Sequence, residues 1–203
     1  MKHSLLLVAV VALVAFAAPA HSQFMYLDTN NDGVGDSNDV LSPASTSVDV
    51  WLDTDSNADT SPVVCNDNPS DLMTINSYEF FLRSTGSVTY GTWTDDTGFG
   101  TNLGDLAAGA DTYHGRFSLT VLSAGLRKLG SLAISGVSTN ATLSIVSSSN
   151  LNPAGATSFG TACSGRDFDN TYKLGSDWFD VRGTASPTPV TSTTWGQIKN
   201  IYR

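Results

Sequence analysis

Ten aspartates lie between Asp28 and Asp71, and no lysine or arginine occurs between Lys2 and Arg83. A stretch this acidic cannot enter an apolar core, and it repels itself unless water or a counter-ion takes up the charge. Its first part is regular: residues 28–39 read DTNNDGVGDSND. Oxygen side chains fall at positions 1, 3, 5, 9 and 12 of the run, as Asp28, Asn30, Asp32, Asp36 and Asp39, with Gly33 at position 6. That spacing lets a short loop turn sharply and wrap a hard cation in oxygen. The expected ion is Ca2+. Asp28, Asn30 and Asp32 would ligate through side chains, Val34 through its carbonyl, and Asp36 directly or through water, with Asp39 closing the site. The competing reading is an Asp-rich turn that holds no metal.

A second acidic run follows at Asp53, Asp55, Asn57 and Asp59. There Ala58 stands where the glycine belongs and Val64 where the last carboxylate belongs. It is either a looser metal loop or a solvated turn.

Between and after these runs the pattern is that of strands. Val48, Val50 and Leu52 alternate with Asp49, Trp51 and Asp53, which reads as a half-buried strand over 46–53. From Met73 to Arg83, Asn76, Tyr78, Phe80 and Leu82 share one face. Thr85 and Gly86 then suggest a turn into a hairpin partner over 87–93. Further strands are expected over 116–122, 126–134, 141–146 and 172–181. Residues 94–111 and 147–165 read as loops, and Phe24–Leu27 as an edge strand. Val40 and Leu41 read as a helical turn stopped by Pro43. Seven or more short strands separated by Gly, Ser and Asp predict an all-β, antiparallel β-sandwich over 46–183, preceded by a calcium-loop segment over 23–45. Residues 184–203 read as a Pro- and Thr-rich linker and a short C-terminal helix, with Trp195, Ile198, Ile201 and Tyr202 on one face.

The apolar run Leu5–Ala18 spans 14 residues, short of the ~20 a membrane helix needs. With Lys2 before it and small residues after it, segment 1–22 reads as a secretory signal peptide, cut after Ala20 or Ser22. A secreted or cell-surface location follows, with no membrane span after the signal is removed. In that compartment Cys65 and Cys163 are expected to form a disulfide. It would close a loop of 98 residues and stabilise the fold by roughly 4–5 kcal/mol. The net charge of −9 argues against nucleic acid, whose phosphates call for Lys and Arg.

Catalytic signatures are missing: the sequence has no GxSxG, HExxH or phosphate-binding loop. His114, between Tyr113 and Gly115, reads as a surface histidine. Trp51, Trp93 and Trp178 could stack against sugar rings if they share an exposed face, or belong to the core.

The Asp28–Asp39 loop resembles two calcium families. Dockerin loops share the DxNxDG opening and the Asp at position 12. Thrombospondin type 3 repeats, DxDxDGxxDxxD, are more similar, because Asp36 falls on their acidic position. Residues 48–53, 75–80, 88–90 and 129–134 resemble strands of cohesin domains, the receptors of dockerins. The loop resemblance implies Ca2+, and the strand resemblance a cohesin- or jelly-roll-like domain. Together with the export signal and the missing catalytic signatures, they lead to the expectation of a calcium-stabilised, non-catalytic domain that serves adhesion or scaffold assembly. Its partner would be an extracellular protein or glycan. The alternatives are a carbohydrate-binding module and, more distantly, a glycan-directed hydrolase.

Overall fold

The computed structural model describes residues 24–36, 38–54, 74–161, 170–173, 180–182 and 184–187. All regular structure among them is strand, arranged in two mainly antiparallel sheets around one core. The signal segment, Asp55, Asn57, Asp59, Cys65, Cys163, Trp178 and the expected C-terminal helix lie outside the described residues.

The alternating stretch at 46–53 becomes β3 (Ser47–Asp53), whose Val48, Val50 and Leu52 are fully buried. It lies at the centre of a five-stranded sheet. On one side are β1 (Phe24–Asp28) and then β12 (Asp180–Arg182); on the other are β8 (Leu126–Ser135) and then β5 (Thr89–Asp95). β1 is flanked on both sides, so it is not the edge strand its sequence suggests.

The second sheet is built on β4 (Ile75–Thr85), which carries Tyr78, Phe80 and Leu82 into the core. One side of β4 pairs with β7 (Asp111–Leu122), and β7 pairs in turn with β6 (Thr101–Ala108). Its other side is divided between two strands. β9 (Thr142–Val146) pairs along Phe81–Thr85, and β10 (Ser158–Thr161) along Ser77–Glu79. β11 (Asn170–Lys173) extends β10, while β13 (Thr184–Pro187) joins β9 to the short β2 (Val40–Leu41). The sheet therefore takes in residues 184–187, inside the expected linker.

Several expectations from the pattern are corrected. β4 and β5 do not form a hairpin: Gly86, at φ +72°, turns the chain out of one sheet and into the other. The apolar faces of β4 and β5 look toward each other, with Phe80 meeting Trp93 edge-on at 5.1 Å. Strands that face across a core cannot also be neighbours in one sheet. Residues 94–111 contain β6, and 147–165 contain β10. Val40 and Leu41 are extended instead of helical, because a parallel neighbour, β13, takes their backbone groups. The expected strand over 172–181 divides into β11 and β12, which belong to different sheets.

Candidate functional site

The Asp28–Asp39 loop connects β1 of one sheet to β2 of the other. Asp28 ends β1, in register with Asp49 of β3, and has no exposed surface. Its Oδ1 accepts the backbone N–H groups of Asn30 and Asn31 at 3.2 and 2.6 Å, and its Oδ2 accepts that of Gly33 at 2.9 Å. Asn31 and Gly33 both have positive φ, 62° and 78°, which curls the backbone so that these donors converge on one carboxylate. Asp39, 7% exposed, closes the loop. Its Oδ1 accepts from Thr29 N–H at 2.7 Å and its Oδ2 from Asp36 N–H at 2.9 Å. Asn30, Asp32 and Asp36 are exposed, and each accepts the N–H two residues further on. Val34, at position 7, is exposed.

The loop is held against the sheet by aromatics. The Tyr26 hydroxyl donates to the Gly33 carbonyl at 2.6 Å, and its ring lies parallel to that of Trp51 with centroids 6.1 Å apart. A Cβ on Gly35 would stand 2.7 Å from the Tyr26 ring, so only glycine allows the loop to lie this close. Burial pushes the Tyr26 phenol well above its usual range, and Asp28, Asp53, Asp39 and Asp32 push it further. Asp39 is also raised: burial and the charges of Asp28 and Asp32 outweigh its two N–H donors. Among the basic residues whose side chains the structure describes, none forms an ion pair with Asp28, Asp32, Asp36 or Asp39.

The donor set suits a hard cation in kind. Every candidate ligand is an oxygen, and a carboxylate offers about four acceptor sites, of which Asp28 uses three on backbone N–H groups. The present arrangement closes on those N–H donors. Among the described residues, no three carboxylate, histidine or cysteine side chains lie together in a way that could hold a metal.

A second polar cluster lies between the sheets, and the sequence did not announce it. His114 is 2% exposed, correcting the expectation of a surface histidine. Its ring stacks on Trp93 at 5.0 Å and packs against Phe80 at 5.5 Å. Nδ1 bonds Asp105 at 2.8 Å, and Nε2 bonds the Thr112 hydroxyl at 2.9 Å. Arg116 holds the same carboxylate with both terminal nitrogens, at 3.0 and 2.9 Å, and also reaches Asn102. The bonds from Arg116, His114 and Asn102 outweigh burial and hold Asp105 below the usual carboxylate range. Burial lowers His114, and the opposing pull of Asp105 does not restore it. Beside this cluster a cavity of about 140 Å3 opens between β5 and β6, lined by Trp93, Asp105, Leu106 and His114 among others. The only sequence clue was the alternation of Thr112, His114 and Arg116 on one face of a strand, which becomes meaningful once β6 lies beside it.

Of the three expected stacking tryptophans, Trp178 lies outside the described residues, and the other two point to opposite faces of one sheet. Trp93 is a core residue, 6% exposed, whose indole donates to the Tyr78 hydroxyl at 3.2 Å. Trp51 is half-buried on the opposite face of the five-stranded sheet, beneath the acidic loop, and its Nε1 has no hydrogen-bond partner among the described residues. Asp53, the first member of the second acidic run, is 8% exposed at the end of β3. No protein-family model, curated protein or solved structure matches this chain.

Proposed function

We propose that the chain is a secreted or cell-surface β-sandwich of cohesin- or jelly-roll-like form. Ca2+ held by Asp28, Asn30, Asp32, Val34, Asp36 and Asp39 stabilises it, and it serves without catalysis in adhesion or scaffold assembly with an extracellular protein. One observation carries the reading: Asp28 is fully buried in a loop of carboxylates, and none of the basic side chains that the structure describes pairs with them. Burial raises the Asp39 carboxyl, and the nearby charges of Asp28 and Asp32 add to the rise. A divalent ion removes that repulsion. It would also fix the crossing from β1 to β2, and with it the strands β12 and β13 that pair along them. The non-catalytic part rests on the use already made of three acids beside the core. Asp105 is bound by Arg116 and His114, Asp95 by Tyr78, and Glu79 by Tyr113 and Ser158.

The test compares thermal melting in Ca2+ and in EDTA for the wild type and for Asp32→Ala, whose exposed side chain can be removed without opening the core. Calcium at about 100 times its dissociation constant stabilises a one-site protein by about 2.7 kcal/mol. The wild type should melt several degrees higher in Ca2+, and the variant should show little response. Equal melting temperatures in Ca2+ and EDTA for the wild type would remove the calcium reading.

A further inference from the structure

Among the described strands, β6 (Thr101–Ala108) is bonded on one side only, to β7. Seven of its eight residues are exposed, including Leu103 at 50% and Leu106 at 44%. Such an edge offers a row of unpaired N–H and C=O groups, and proteins usually block it with Lys, Pro or a bulge. Another end strand, β5, has that protection: its register shifts between Tyr90 and Trp93. On β6 the irregularity falls at Asn102/Gly104, and Gly104–Ala108 then run regularly along β7. The sequence of β6, TNLGDLAA, contains no Lys, Arg or Pro. Its one charge, Asp105, is taken up from behind by Arg116 and His114.

We propose that β6 is a self-association edge. Two copies of the chain pair β6 antiparallel to β6 about a two-fold axis at Leu106, and the sheet runs on through both molecules. Charge selects the occupant. The chain carries a net charge of −9, yet this edge presents no open charge of either sign. A basic segment would find its target in the acidic loop instead, and an acidic one has no cation here to meet. A strand with no unpaired charge fits, and β6 is one, because its single carboxylate is held by Arg116 and His114 of its own chain. With the axis at Leu106, that residue meets its own copy, Asp105 meets Ala107, and Gly104 meets Ala108. No like charges are opposed and no bulky pair collides, which is the self-complementarity that a closed two-fold interface requires.

The experiment is sedimentation velocity and light scattering on the mature full chain at concentrations up to the order of 100 µM, in Ca2+ and again in EDTA. The expected result is a dimer in both. Leu106→Lys should raise the dimer dissociation constant at least about tenfold, as a blocking charge on an edge does. Leu119→Lys, at the most exposed apolar residue (78%), should leave it unchanged. Leu106→Cys should oxidise to a disulfide-linked dimer, since facing residues of an antiparallel pair lie within disulfide reach. A wild type that stays monomeric, with no cross-link from Leu106→Cys, overturns the proposal, as does a dimer that Leu106→Lys leaves intact. A dimer in Ca2+ that dissociates in EDTA would assign the interface to the cation loop instead.

Discussion

The acidic loop and the Asp105 cluster solve the same problem in opposite ways. In the loop Asp28 is fully buried, and in the cluster Asp105 keeps 32% of its side chain exposed. The loop satisfies Asp28 locally, with three backbone N–H groups from the next five residues. The cluster satisfies Asp105 at a distance, with side chains nine and eleven positions further along the chain. A local solution needs only spacing and a glycine, and it leaves the charge uncancelled. The distant solution cancels the charge but depends on two strands having already paired. Loss of one partner should therefore be more damaging in the cluster, whereas the loop should respond more to ions and to pH.

Arg116→Met gives the largest expected effect. It leaves Asp105 charged beside the core with only His114 and Asn102 as partners. Breaking a buried pair costs about 3–5 kcal/mol, and the partial exposure of Asp105 (32%) places this case at the low end. Chemical denaturation should show it, and adding Asp105→Asn to Arg116→Met should recover part of the loss. A single change costing under about 1 kcal/mol, the value of an exposed pair, would make the cluster no different from a surface ion pair.

Asp28→Asn should cost less, about 1–3 kcal/mol in EDTA, because one oxygen becomes an amide that cannot accept from Gly33 or from Asn30 and Asn31. The same variant should lose the calcium-dependent rise in melting temperature. If it kept that rise, the loop's first residue would not be a ligand.

The smallest effect separates the two regions by sign. The folded pKa of His114 lies below its unfolded value of 6.5, so the unfolded chain binds protons more readily and stability is lost as pH falls through about 6.5. The folded pKa of Asp39 lies above 3.8, so the folded chain binds the proton more readily, and the loop is relieved as pH falls toward 4. Stability curves between pH 7 and 4 should show both slopes. His114→Phe should remove the first and Asp39→Asn the second, and Ca2+ should flatten the second by stabilising the charged form. A His114→Phe curve parallel to the wild type would show that the histidine carries none of the pH dependence.

Much of the fold was legible. Val48, Val50 and Leu52, and likewise Tyr78, Phe80 and Leu82, alternate as half-buried strands do, and the structure places them in the core. β6 was not legible, because a strand exposed at nearly every position carries no alternation. Nor was the separation of β4 from β5. A turn at Gly86 is compatible with a hairpin or with a change of sheet, and the packing of Phe80 on Trp93 selects the second.

The candidate site divides in the same way. The sequence by itself determined the acidic loop: the order of Asp28, Asn30, Asp32, Gly33 and Asp39 dictates which N–H groups can reach which carboxylates, since all lie in one short loop. Only the tertiary structure decided that this loop lies on Tyr26 and Trp51, that His114 is buried, and that Asp105 and Arg116 meet. Those outcomes depend on which strands become neighbours. Strand pairing is settled by packing summed over both sheets, and no short window of sequence contains that sum.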